Sequence, residues 1–242
     1  MIVYGINPVL EALRAGRVRE VRVSDRGGDR LSELLALAGQ QQVAVKRVPG
    51  DLLARQSRGG VHQGVVADVD ETQDYSLEEL VRGAADTPFL VVLDGIEDPH
   101  NLGAILRTAD AAGVDGVVMQ SRRAAALGGA AAKASAGAVS HVKIAEVVNI
   151  ARAIEELKEL GVWSVGLAGE APASYDTIDF TVPTAIVLGA EGAGLRRLVR
   201  ERCDFLASIP MLGHVGSLNV SVAAGVTLFE AVRQRRGVAR PL

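Results

Sequence analysis

Along the first 70 residues, stretches of β-forming residues alternate with stretches whose apolar positions recur every three or four residues. VREVRVSD (18–25) predicts a strand, DRLSELLALAG (29–39) a helix, and VAVKRVP (43–49) and HQGVVADV (62–69) two further strands around a short helix from Leu52 to Gln56. Ahead of them, Asn7 reads as a helix cap. Pro8 reads as the opening of a helix to Arg14, since proline pre-sets the helical φ and its missing N–H is no loss in a first turn. These elements predict a compact α/β unit over residues 1–70.

The pattern then changes. DVDETQDYSLEELVRGAADTP (68–88) is acidic and rich in small residues, and Ser76 with Glu79 forms the spacing of a capping box. We read a linker at 71–84 carrying one short helix, and a second domain over 85–242. From Phe89 onward the rhythm is strand, loop, helix: FLVVLDGI (89–96), a helix capped by Asn101, GVVMQ (116–120), a helix in NIARAIEELKELG (149–161), VWSVGLAG (162–169), TAIVLGAEG (184–192) and a long last helix. Alternating strands and helices predict a parallel sheet covered on both faces, whose ligands sit at loops leaving the C-terminal strand ends.

Composition narrows the classes. With 48% hydrophobic and 23% charged residues in 242, the chain is an ordinary globular protein. No stretch approaches the roughly 18 uninterrupted apolar residues of a membrane span, so a cytoplasmic protein is expected. Cys203 is the only cysteine, which excludes an internal disulfide and a cysteine zinc cluster, and His62, His100, His141 and His214 lack i, i+4 spacing. No metal is expected. Net charge is -3, yet of 26 cationic residues only Lys46, Lys133, Lys143 and Lys158 are lysines. Arg14, Arg17, Arg19, Arg22, Arg26 and Arg30 crowd one end; Arg196, Arg197, Arg200, Arg202, Arg233, Arg235, Arg236 and Arg240 crowd the other. Guanidinium groups grip phosphates bidentately, although a codon bias replacing surface lysine by arginine gives the same composition.

Three loops could carry chemistry. In DGIEDPHNLGAILRTADAAG (94–113) a buried strand empties into an acidic loop, and Leu102, Ile105, Leu106 and Ala109 form an apolar face that leaves Arg107 pointing elsewhere. Asn101 and Arg107 at the mouth of a parallel sheet could bind ribose and phosphate. In IVLGAEGAGL (186–195) Gly189, Gly192 and Gly194 let a ligand approach the backbone around Glu191. The spacing is not G-x-G-x-x-G and little chain remains downstream, which counts against a nicotinamide-dependent oxidoreductase. In IPMLGHVGSLNVSVAAGVTLFEA (209–231) a loop with Ser217 and Asn219 opens a helix almost without charge, including Val220, Val222, Ala223, Val226, Leu228 and Phe229. One sheet cannot cover so wide an apolar circumference, which predicts a homodimer through this helix.

In this order the three segments resemble the signature motifs of the SpoU (TrmH-like) family within the SPOUT methyltransferases. YGINPVLEALRAG and HQGVVA are similar to the group that methylates a guanosine ribose in the P-site loop of bacterial 23S rRNA. The resemblance implies an N-terminal RNA-binding domain similar to ribosomal protein L30e, and a C-terminal SPOUT domain threaded into a trefoil knot. It implies S-adenosylmethionine held at Gly189, Ile209 and Leu218, with Asn101, Arg107, Glu191, Ser217 and Asn219 at the polar positions of the catalytic site. It also points to a dimer whose active sites lie beside the interface. A guanidinium does not give up its proton at neutral pH, so Arg107 is expected to clamp a phosphate and stabilise the forming alkoxide rather than act as a base. Asn101 would orient the ribose, Ser217 and Asn219 hold their loop, and Glu191 fix its donors. A tRNA target, a non-catalytic RNA-binding protein and the oxidoreductase remain as alternatives.

Overall fold

The structure, a computed structural model, describes residues 1–14, 16–25, 31–69, 75–121, 138 and 141–238. Arg26, Arg30, Lys133 and Arg240 lie outside the described residues. The small domain is a four-stranded sheet of β1 (Ile2–Tyr4), β2 (Val18–Ser24), β3 (Ala44–Val48) and β4 (Val65–Val69) in the order β1-β4-β2-β3. Its strands β2 and β3 are parallel, while β4 runs antiparallel to both β1 and β2. Helix α1 (Ile6–Arg14) buries Pro8, Val9, Leu10, Ala12 and Leu13. It starts one residue before the expected Asn7 cap, because the Ile6 N–H is satisfied by the Gln63 side-chain oxygen at 3.0 Å. Pro8 then occupies the first turn, where no N–H is needed. Helices α2 (Ser32–Gln40) and α3 (Gly50–Gln56) complete the unit.

Helix α4 (Leu77–Arg82) carries the capping box: Ser76 Oγ accepts from the Glu79 N–H at 3.2 Å, and the Glu79 carboxylate accepts from the Ser76 N–H at 2.8 Å. The Ser76 N–H and the Ser76 hydroxyl, which donates at 2.9 Å, hold the Glu79 carboxyl below its ordinary range. Leu77 and Leu80 are buried in a core cluster with residues of the larger sheet.

That sheet has seven parallel strands: β5 (Phe89–Asp94), β6 (Gly116–Gln120), β7 (Ile144–Val147), β8 (Trp163–Leu167), β9 (Ala173–Ser174), β10 (Thr184–Gly189) and β11 (Phe205–Ser208). Their order is β7-β6-β5-β10-β8-β11-β9. Six consecutive buried residues in β5 explain its unbroken apolar run, as expected of a strand covered on both faces. One face is covered by α4, α6 (Ile150–Glu159) and α7 (Arg197–Arg202); the other is covered by α5 (Pro99–Ala111) and α8 (Val220–Val238), which pack along each other. From β5 the chain winds outward through β6 and β7, whereas β10 pairs on the other side of β5. The gap above β5 and β10 is therefore the switch point where an open parallel sheet leaves a crevice. Asp94 and Gly189, in register across that gap, mark its floor.

Arg235 on α8 closes the opposite end. Its guanidinium donates to the carbonyls of Thr87 (2.7 Å), Phe180 (2.8 Å), Val182 (3.0 Å) and Pro88 (3.2 Å) and lies 4.5 Å from the centre of the Phe89 ring. Among the described residues, no helix is long and apolar enough to cross a membrane.

Candidate active site

Helix α5 positions the first polar group. Asp98, not Asn101, is its cap: the Asp98 carboxylate accepts from the N–H groups of His100 (3.1 Å) and Asn101 (3.3 Å), and Pro99 follows as the first helical residue. This corrects the expectation that Asn101 caps the helix. Freed from that role, the 8%-exposed Asn101 turns its side chain toward two other loops. Its Nδ2 donates to Glu191 Oε2 at 3.1 Å, and its Oδ1 accepts from Asn219 Nδ2 at 3.0 Å. Asn219, just ahead of α8, accepts at its own Oδ1 from the Ser221 N–H (2.9 Å) and the Ser221 hydroxyl (2.6 Å). Three residues far apart in sequence, one in the first turn of α5 and two in loops, thus form one hydrogen-bonded row.

The loop bearing Glu191 is built by its glycines. Ala190 and Gly194 face each other through two backbone bonds of 3.1 and 2.8 Å, and Gly192 and Gly194 have φ of +74° and +66°. The expectation that Gly189 leaves room for a ligand needs amending. A Cβ there would fall 2.2 Å from the Gly194 carbonyl carbon, so the close approach Gly189 permits is first that of its own loop. The end of the loop is tied down by Asp94. This buried carboxylate accepts from the Arg196 N–H (2.8 Å), Nε (2.5 Å) and a terminal guanidinium nitrogen (2.5 Å).

Beside the row lies a cavity of about 820 Å³ whose walls include the β8, β10 and β11 loops. Gly189, Ile209 and Leu218 line it, as do Glu191 and Ser217. Its size suits a nucleoside-sized cofactor, since such sites run to about 300–1,000 Å³. The wall also holds the exposed ion pair of Arg200 with Glu170, whose carboxyl is held low by its own backbone N–H and by that guanidinium.

Of the sequence-expected site residues, Asn101, Glu191 and Asn219 are bonded together, and Gly189, Ile209, Leu218 and Ser217 share the cavity. Ser217 is exposed and makes no side-chain hydrogen bond among the described residues. Arg107 is exposed, without a bonded partner among the described residues. Six residues beyond Asn101, it sits about 9 Å further along the helix and on another side of it. The C-terminal arginines are mostly engaged within the chain. Arg197 pairs with Glu201 (2.7 Å), Arg202 with Glu155 (3.0 Å), Arg233 with Glu230 (2.7 Å), and Arg235 and Arg196 as described. The sequence reading missed Asp94, Asp98, Arg196 and Ser221. A charged residue ending the FLVVL run and a serine two residues beyond Asn219 were the available signals.

Residues 88–229 match the profile of the SpoU rRNA Methylase family, and residues 2–75 that of RNA 2'-O ribose methyltransferase substrate binding. Two relatives named 23S rRNA (guanosine-2'-O-)-methyltransferase RlmB are close to full-length matches. The one from Pseudomonas putida is 46% identical (97% of this chain, 96% of the relative), and the one from Yersinia pestis 47% identical (97% of each). Among solved structures, the SpoU methyltransferase AviRb from Streptomyces viridochromogenes, in complex with AdoMet, superposes with a TM-score of 0.83 at 27% identity, covering 98% of this chain and 91% of the other.

Proposed function

The chain belongs to the SpoU rRNA methylase family and is an S-adenosylmethionine-dependent methyltransferase of a guanosine ribose in 23S rRNA; we propose that the row from Glu191 through Asn101 to Asn219 forms its catalytic floor. The bonding of these three residues beside the glycine-built cavity supports that reading most directly. The nicotinamide-dependent and non-catalytic alternatives give way to the family.

Gly189, Ile209 and Leu218 would hold S-adenosylmethionine, which supplies an electrophilic sulfonium methyl. Such transfer needs little covalent help, but the ribose 2'-hydroxyl must be aligned and relieved of its proton. Asn101 and Asn219, with their amides fixed, present a preorganised polar edge to the ribose, and Glu191 anchors the end of that edge. Arg107 has no bonded partner among the described residues. We assign its guanidinium to the phosphate beside the target, where it stabilises negative charge as it develops on the oxygen.

We further propose a homodimer through α8. Val220, Ala224, Leu228 and Ala231 of that helix are buried within the chain, so Val220 and Leu228 are not available to a partner. Val222 and Phe229 are 51% and 49% exposed and, with the half-buried Val226 between them, make a strip at helical spacing. A symmetric copy would cover it. In a bacterial cell the enzyme would act in the cytoplasm, where 23S rRNA resides. The test is 2'-O-methyl mapping of 23S rRNA treated with wild-type and Arg107→Ala protein. The variant should lose at least about a hundredfold in rate with cofactor affinity unchanged; a variant as active as wild type would defeat the assignment of Arg107.

A further inference from the structure

The row of side-chain amides has a direction, and its direction is set at the end furthest from Glu191. An asparagine side chain has one accepting and one donating end, and nothing intrinsic fixes which faces which way. At Asn219 the choice is forced. Its Oδ1 meets the Ser221 backbone N–H at 2.9 Å, a group that can only donate, and the Ser221 hydroxyl at 2.6 Å. The donating Nδ2 must therefore face Asn101, at 3.0 Å. Asn101 must answer with its Oδ1, which leaves its Nδ2 for Glu191 Oε2 at 3.1 Å. Every bond points its donor toward the carboxylate, which can only accept.

We infer that Ser221 is a positioning residue for the methyl-transfer reaction: its backbone N–H sets the direction of the row, and its hydroxyl holds the Asn219 carboxamide, and through it that of Asn101, in place. Ser221 itself does not line the cavity, so it acts through the asparagines and not on the cofactor. Turning Asn219 over would set its Nδ2 against the Ser221 N–H and its Oδ1 against the Asn101 oxygen. Relief by turning Asn101 as well would then point an amide oxygen at the Glu191 carboxylate. The backbone N–H alone excludes that inverted arrangement, because the hydroxyl can accept as well as donate; what the Ser221 hydroxyl adds is a second, short bond that keeps the Asn219 oxygen in place and the polar edge offered to the ribose steady.

The inference rests on the assignment of Asn101 to the catalytic floor, and the experiment separates the two. Methylation of 23S rRNA is followed for Ser221→Ala, Ser221→Thr and Asn101→Ala, with kcat and KM for RNA and for S-adenosylmethionine taken apart. Loss of one neutral hydrogen bond corresponds to about a 2- to 13-fold effect. Ser221→Ala should lower kcat by about three- to tenfold and leave both KM values and the melting temperature near wild type, and Ser221→Thr, which keeps the hydroxyl, should restore kcat. A Ser221→Ala enzyme within twofold of wild-type kcat overturns the inference, as does a loss that threonine does not restore in a folded protein. If Asn101→Ala is fully active, the catalytic floor itself is wrong, and the inference goes with it.

Discussion

Replacing Gly189 by alanine tests whether the cofactor loop is held by close backbone packing. The added methyl would lie 2.2 Å from the Gly194 carbon, 2.4 Å from the Leu195 nitrogen and 2.5 Å from the Gly194 oxygen. All three are backbone atoms, so no side chain can swing aside; the loop must move away from the end of β10. Moving it breaks the pair of bonds between Ala190 and Gly194, at 3.1 and 2.8 Å. Two such bonds contribute about 1–3 kcal/mol together, and forcing a methyl into packed surroundings costs about 1–3 kcal/mol more. The total, roughly 2–6 kcal/mol, should lower the melting temperature by at least about 4 °C in a domain of this size. Calorimetric titration with S-adenosylmethionine should show at least about a tenfold weaker affinity, because every 1.4 kcal/mol is a factor of about ten. Gly192→Ala is the control. Its φ of +74° disfavours a side chain, but a Cβ there meets nothing within 4 Å, so only about 1–2 kcal/mol of backbone strain is expected. Wild-type affinity and stability in Gly189→Ala, or a larger effect at Gly192 than at Gly189, would refute the packing argument.

Other outcomes follow from the same structure. Arg196→Ala strands the fully buried Asp94 carboxylate, whereas Asp94→Asn frees a guanidinium that is already 50% exposed to water; chemical denaturation should find the former worse, at roughly 3 kcal/mol against about half that. The Arg233 guanidinium and the Gln234 amide lower the Glu230 carboxyl to about 2. A depressed carboxylate stabilises the fold above its unfolded value of about 4.5 and loses that contribution as pH falls toward 2. Glu230→Gln should therefore flatten the stability curve between those pH values, by under about 1 kcal/mol because Arg233 is 70% exposed; an unchanged acid limb would contradict this. Burial, then the neighbouring Asp204 and Asp94 charges, push the Cys203 thiol up to about 12. Native protein should resist iodoacetamide at pH 8, as read by mass spectrometry, and alkylate only when unfolded.

The sequence by itself determined the class and most of the elements, while the short strands β1, β7, β9 and β11 and the helix α7 were legible only in the structure. Alternating β-forming and helical stretches, the Ser76 and Glu79 box, and the glycine loop after TAIVLG are local patterns whose physical causes act within a few residues, and each reappears in the structure. Asn101, Glu191 and Asn219 were also legible as candidates, since polar residues that follow an apolar strand or open a helix stand out, and the structure brings the three together. Their mutual bonding lay beyond the sequence. It follows from β10 pairing beside β5 and from α8 packing along α5, which set residues 90 and 118 positions apart at one crevice. The cap of α5 fell to Asp98 because two carboxylate oxygens there reach two free N–H groups, a competition among neighbours that a spacing rule does not resolve. Arginine clustering likewise could not say which guanidiniums were free. Arg235 spends its donors on loop carbonyls and Arg196 on Asp94, while Arg107 meets no acceptor among the described residues, and only the packed chain decides between those fates because donors and acceptors must be near each other to pair. The orientation of the amide row is the furthest from sequence of all. It depends on which end of Asn219 meets the Ser221 N–H, and that is fixed only when the start of α8 is seated against the start of α5.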